Sequence, residues 1–400
     1  MSDSERAGAL DGLRVLDVGL LVQGPQAAQL LGDLGADVVK VELPEYGDQG
    51  RWIPLDPKGD ARAPWFIGCN RGKRSLTLDL RKPRGQEVFH DLAALADVVV
   101  SNFLPGTLEG WGLGYEALAE RNPRLIYAAG SAYGPEGPDA TRKGADLGGQ
   151  AQGGLLSRVA MPGAPLASIA VTIADHIGSQ NLVAGVLAAL YARERTGRGQ
   201  KVEVSLYGGQ IFAQASELTA HFLNGVCHER RDSGHPLLPY IYGVFPTADG
   251  HIVLVGVHDH AVLWAEIGRP ELSEVERFNR EELLDGAKEE AFEIIGHELE
   301  KQPTAEWERR FRAAEIRYAP VRDYAAIAAD EGAFANGYLQ RVEHPEWGEV
   351  TMPGCPIRLS DTPAVPGQLA PELGQHTEEV LLEAGLDWEA ISKLRADGVT

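Results

Sequence analysis

Apolar and polar residues follow two different rhythms along the first half of the chain. Short apolar runs at 15–18, 38–42, 97–100 and 125–129 predict buried strands. Segments with helical spacing lie between them. In 26–34, Leu30, Leu31 and Leu34 share one face and Gly35 supplies a C-terminal stop. In 83–95, Pro83 opens the helix, since proline is tolerated in a first turn. A longer helix is predicted over 177–194; it ends at the Thr196-Gly-Arg-Gly199 turn and is followed by a strand at 201–205. Strands alternating with helices predict a parallel sheet covered by helices on both faces.

The rhythm changes after about Gly225. Two apolar runs flank Ala248-Asp249-Gly250, a turn signal that predicts a hairpin within 242–255. Acidic amphipathic helices follow around 272–315, then a Pro- and Gly-rich tail from His344 with an acidic helix near 376–384. The expected organisation is a large α/β domain from 1–222 and 331–400, with a smaller α+β domain at 223–330. No internal repeat interrupts this pattern.

Composition narrows the function. The 400 residues suffice for two domains, and 44% hydrophobic residues can fill a sizeable core. A net charge of -21 repels nucleic acid and anionic membrane surfaces, so neither is an expected partner. The three cysteines (Cys69, Cys227 and Cys355) are scattered, with no disulfide or metal-ligand spacing. With no long uncharged apolar run, the expectation is a soluble, cytoplasmic protein. A polyanionic ligand would need a local basic patch. Arg71, Lys73 and Arg74 form one, and read alone they are either that patch or a solvated turn. His258-Asp259-His260 is either part of a metal site or a polar loop; an HxH pair lacks a third ligand, and the expectation is no metal.

An ordered series of motifs then carries a resemblance. It runs through Leu10-Asp-Gly-Leu-Arg-Val-Leu-Asp-Val18, Gly24-Pro25 and Leu31-Gly-Asp-Leu-Gly-Ala-Asp37. It continues through Cys69-Asn-Arg-Gly-Lys-Arg74, Asn102-Phe103, Pro105-Gly106, Glu194-Arg-Thr-Gly-Arg-Gly-Gln200 and Pro371-Glu-Leu-Gly-Gln-His-Thr377. In this order the chain resembles the family III CoA-transferases, which include the α-methylacyl-CoA racemases. The resemblance implies a large open Rossmann-like domain, a small domain and an interlocked dimer. It implies coenzyme A or acyl-CoA as substrate, with no tightly bound cofactor. Val22, Gln23, Asn70, Arg71, Lys73, Arg74, Asn102 and Phe103 would line the CoA site. That is chemically reasonable, because Lys and Arg pair with phosphates and loops at strand carboxyl ends form the ligand crevice.

The family's transferases use an aspartate as covalent nucleophile. In an ungapped reading between Gln150-Ala151 and Ala174-Asp175, that position falls on Gly163, twelve residues before Asp175. The racemase histidine position falls on Ala145, directly before Asp146. Asp175 is then either a helix N-terminal cap or a catalytic group, and Asp146 either a structural acceptor of loop N–H groups or a base. Arg158 pairs with a carboxylate substrate or sits on the surface. The leading expectation is a CoA-transferase acting on an acyl-CoA, such as succinyl-CoA, and an organic or aromatic carboxylate. It would work as one subunit of a heteromer of the succinyl-CoA:benzylsuccinate type, whose homologous partner supplies the nucleophile. The alternatives are a stand-alone acyl-CoA isomerase, racemase or lyase using Asp175 or Asp146, and a non-catalytic acyl-CoA-binding subunit.

Overall fold

The computed structural model describes residues 8–159, 163–228, 230–231, 234–280, 282–283, 286–367 and 369–400. It divides into two compact units. The first comprises Met1–Leu155, Ser168–Gln214 and Glu331–Thr400; the second comprises Leu156–Ala167 and Ala215–Asp330. Segments 156–167 and 215–222 thus belong with the second unit, although composition changes only near Gly225.

The first unit is built on six parallel strands: β1 (Arg14–Asp17), β2 (Asp37–Glu42), β3 (Arg74–Thr77), β4 (Val98–Ser101), β5 (Ile126–Ser131) and β6 (Lys201–Ser205). They lie in the order β3-β2-β1-β4-β5-β6. Its helices include α1 (Gln23–Asp33), α2 (Pro64–Asn70), α3 (Pro83–Ala94), α4 (Thr107–Gly110), α5 (Tyr115–Arg121) and α6 (Asp146–Gln152). The short α7 (Leu156–Val159) falls in the second unit, and α8 (Ile173–Thr196) returns to the first.

Side chains of a strand alternate between its faces, and the core follows that rule. Val15, Val38, Val98 and Ile126 pack with Ala27, Leu31, Leu182 and Val186 of α1 and α8. Their neighbours Leu16, Val39, Val99 and Tyr127 pack on the opposite face with Phe89 and Leu92 of α3 and with Leu381 and Ile391 near the C-terminus. Both faces are covered, which explains why the strands read as near-continuous apolar runs.

β3 was hidden in the sequence. Its first residue is Arg74, which looked like part of a basic loop, yet Arg74–Thr77 pairs in parallel with β2 as the sheet edge. α8 also begins four residues before its predicted start.

The second unit carries β7 (Ile241–Pro246), β8 (His251–Val257) and β9 (Tyr318–Pro320) in one antiparallel sheet. The helices His260–Glu266, Ala287–Leu299 and Thr304–Ala313 pack Trp264, Phe292, Trp307 and Phe311 into its core. This is a small α+β fold. In the first unit, β10 (Leu339–His344) and β11 (Gly348–Pro353) form a separate hairpin. Among the described residues, no helix is long and apolar enough to cross a membrane.

Candidate functional site

The chain runs from β1 outward through β2 and β3, then crosses back to β4 on the other side of β1. The reversal leaves a crevice outside the carboxyl ends of β1 and β4, the usual ligand position in an open α/β sheet. Two segments flank it: Val18–Val22 after β1, and the turn beginning at Asn102 after β4.

Asn102 ties the two together. Its Oδ1 accepts the Leu20 N–H at 2.7 Å, and its Nδ2 donates to the Leu20 carbonyl at 2.9 Å. Asp48 accepts the Leu21 N–H at 2.9 Å, and Leu21 holds a φ of 61°. That left-handed conformation is costly for leucine, so the surrounding bonds must enforce it. Lys40, fully buried on β2, donates to the Gly19 carbonyl at 2.9 Å and pairs with Asp48 at 2.9 Å. Burial opposes the Lys40 charge, but Asp17, Asp48 and Glu42 outweigh it and hold its pKa above the ordinary value.

The basic patch is also built inward. Lys73 is buried and donates to Asp17, the Pro25 carbonyl and Asn70 Oδ1, each at 2.7 Å. Burial pushes its ammonium down to about 8 against the pull of Asp17. Arg71 is buried against Asp33, and burial outweighs that pairing to raise the Asp33 carboxyl. Arg74 pairs with Asp37 at 2.6 Å, Glu379 at 2.8 Å and Glu383 at 2.9 Å. The solvated-turn reading is therefore corrected. Each of the three cations has intramolecular carboxylate partners. The sequence showed the cations but not Asp17, Asp33 and Asp37, which the sheet and α1 bring to them.

A cleft of about 270 Å³ opens beside the crevice. It is lined mainly by apolar groups, among them Val18, Leu20, Leu43, Leu78 and Leu80, with Phe103, Trp111 and Arg81. The Phe103 and Trp111 rings meet edge to face at 5.7 Å. Of the residues expected to bind CoA, Phe103 lines this cleft, Asn102 shapes its neighbourhood, and Val22, Gln23 and Asn70 are buried. Leu78, Leu80, Arg81 and Trp111 were not anticipated; the alternating run after Arg74 was the signal for Leu78 and Leu80, and Trp111 had none.

On the α1 side, the first turns of α1 and α8 pack together. Ser179 Oγ donates to the Gln23 carbonyl at 2.8 Å, and a Cβ at Gly178 would lie 2.7 Å from Gln23 Nε2. That amide nitrogen is buried and has no hydrogen-bond partner among the described residues. His176 Nδ1 lies 2.6 Å from Gln26 Oε1, and burial lowers its pKa below the usual imidazole value. Asp175 occupies the third position of α8. Its backbone is hydrogen-bonded, yet its carboxylate accepts no hydrogen bond from the described residues. Burial first, and the Asp146 charge second, push its pKa up to about 7.

The capping role considered for Asp175 therefore belongs to Asp146. Asp146 Oδ1 accepts the Ala174 N–H at 2.8 Å and the Asp175 N–H at 3.1 Å. Thr172, the N-cap residue, makes no side-chain cap bond. Gly163 is exposed, has φ 77° and lies in the segment that clusters with the second unit; Ala160, Met161 and Pro162 lie outside the described residues. Arg158, also in the second unit, donates to the His228 carbonyl at 2.6 Å. Both ring nitrogens of His260 lie within hydrogen-bond reach of backbone carbonyls, those of Phe278 at 2.9 Å and Val257 at 3.1 Å. Asp259 caps the helix His260–Glu266 by accepting the Val262 N–H.

The CoA-transferase family III model matches residues 10–377. The chain is 36% identical to the succinyl-CoA–L-malate CoA-transferase beta subunit of Chloroflexus aurantiacus, covering 98% of each chain. It is 30% identical to human succinyl-CoA:glutarate CoA-transferase, covering 100% of this chain and 91% of the relative. A crystal structure of an aspartate-to-alanine mutant of Rv3272 from Mycobacterium tuberculosis superimposes with a TM-score of 0.82 at 32% identity, covering 94% of this chain and 99% of that one. With a Rossmann-ordered sheet and motif order that agree over nearly the whole length, the chain belongs to CoA-transferase family III and is an enzyme of the CoA-transferase class.

Proposed function

We propose that this enzyme moves coenzyme A from succinyl-CoA to an organic carboxylate, and that Asp175 is its covalent nucleophile. The observation that carries this reading is the Asp175 carboxylate itself. It is half-buried and free of hydrogen bonds among the described residues, and it lies on the α8 turn that packs against α1 beside the switch-point crevice. A carboxylate stripped of hydrogen-bond donors is a stronger nucleophile than a solvated one. The preference for succinyl-CoA rests on the donor named for several relatives.

In the proposed cycle, ionised Asp175 attacks the thioester carbonyl and CoA leaves as thiolate, giving a mixed anhydride. The thiolate then attacks the Asp175 carbonyl and expels the donor carboxylate, leaving an enzyme–CoA thioester. The acceptor carboxylate attacks this thioester and expels CoA thiolate to form a second anhydride, and the thiolate then attacks its acceptor carbonyl to release the new acyl-CoA and free Asp175. Gln23 Nε2 has no partner among the described residues, and in this scheme it donates to the developing oxyanion. The apolar cleft holds the flat adenine, with Arg81 at its rim for phosphate.

Incubating the purified chain with succinyl-CoA and following CoA transfer to malate, glutarate and related acids tests the reading. Transfer by the single chain supports it. The beta-subunit relative favours a second arrangement, in which this chain works with a homologous subunit and transfers CoA only once that subunit is added.

A further inference from the structure

Asp146 and Gln150 do more than finish a helix. Asp146 lies on α6, is 8% exposed, and sends one carboxylate oxygen to two consecutive N–H groups at the start of α8. An N-cap side chain ordinarily satisfies such groups from the residue before its own helix. Here the acceptor comes from a separate helix and carries a full negative charge. Gln150 Nε2 holds the other oxygen at 2.5 Å and also reaches the Val171 carbonyl at 3.3 Å, just before α8. Gln150 is 1% exposed, and its Oε1 has no partner among the described residues. The pair therefore grips both the segment entering α8 and the backbone of Asp175.

We infer that the Asp146–Gln150 pair is a positioning clamp that fixes the Asp175 backbone and, through the Asp146 charge, raises the pH at which Asp175 becomes nucleophilic. This deepens the proposed function and rests on Asp175 being the acylated residue. The surroundings leave Asp146 as the charged neighbour in control. His176, beside Asp175 on α8, is tied to Gln26 and Thr172, and burial favours its neutral form. Cys69 on α2 is close enough to feel the Asp175 charge, but burial raises its thiol to about 11, so it is neutral. Among the described residues, Asp146 is the charge that disfavours Asp175 ionisation.

Asp146→Asn separates charge from geometry. The asparagine oxygen still accepts both N–H groups. Its new amide requires an acceptor where Gln150 now donates, and a flipped Gln150 offers the Oε1 that lacks one. The measurement is the pH dependence of the rate at which Asp175 is acylated by acyl-CoA, read by rapid quench and peptide mass spectrometry. In Asp146→Asn the acid limb should move to lower pH by about one unit, because a like charge is gone. Gln150→Leu removes the amide that partly neutralises Asp146, so its limb should move to higher pH; it also serves as the readout where the Asn variant does not fold. Limbs unmoved in the folded variants, with the adduct still on Asp175, overturn the clamp alone. An adduct mapped to another residue overturns the nucleophile assignment on which the clamp depends.

Discussion

The first unit contains two groups of buried charges, and they are treated in opposite ways. Around the basic patch every buried charge has partners. Lys40, Lys73 and Arg71 meet Asp17, Asp48 and Asp33, with backbone carbonyls completing the sets around both lysines. At the start of α8 the Asp175 carboxylate has none among the described residues. Burial costs an unpaired charge far more than a paired one, so the fold gains no stability from leaving Asp175 alone. The comparison teaches where to look for chemistry. Compensated charges hold the Val18–Val22 segment in shape, whereas the proposed nucleophile is the carboxylate left uncompensated among the described residues.

The sharpest way to break this contrast is Asp175→Asn. CoA transfer should fall by at least about 10⁴-fold, since an amide cannot form the anhydride and nucleophile removal has losses of this order. Calorimetry should show CoA still bound. A variant with near wild-type turnover would return Asp175 to a structural role.

The compensated side should respond in stability. Lys73→Met leaves Asp17 without its nearest cation and should cost about 3–5 kcal/mol in chemical denaturation. Asp17→Asn added to that variant should recover part of the loss. A single variant as stable as the wild type would mean that the buried network is not structural.

The two sides also differ in how stability depends on pH. The Asp175 pKa rises from 3.8 to about 7 on folding. Its contribution is fully present below the unfolded pKa and is lost as pH rises through about 7. Asp175→Asn removes this penalty, so the variant should be more stable than the wild type at pH 8 by roughly 1–3 kcal/mol, with the gap closing toward pH 4. Thermal unfolding at the two pH values measures this, and a gap independent of pH would contradict it. The wild-type acylation rate should correspondingly climb with pH through about 7.

The smallest expected effect is at the cleft rim. Arg81→Ala should weaken CoA binding by up to about tenfold, near 1.4 kcal/mol, because Arg81 is exposed and already shared with Asp79. Unchanged affinity would move the phosphate contact elsewhere.

Much of the fold was legible in the sequence. The runs at 15–18, 38–42, 97–100 and 125–129 are β1, β2, β4 and β5, because strands covered on both faces need continuous apolar residues. β3 was missed because, as an edge strand that starts with arginine, it shows alternation over 75–80 rather than a continuous apolar run, and it reads as part of the basic loop. The site was only partly legible. Sequence shows that Lys73 and Arg71 are cationic, but their partners lie 56 and 38 residues away and meet them only through the sheet and α1. An ungapped count places the nucleophile position at Gly163, an exposed glycine with φ 77°; spacing alone does not show that Asp175 shares a helix with Ser179, which bonds the first turn of α1.

The most direct measurement is to incubate the purified chain with succinyl-CoA, trap the covalent intermediate with hydroxylamine or borohydride, and map the modified peptide by mass spectrometry. The account predicts modification at Asp175 in the peptide spanning the start of α8. Modification of a different carboxylate, or an unmodified chain that nevertheless transfers CoA at full rate on its own, would contradict it.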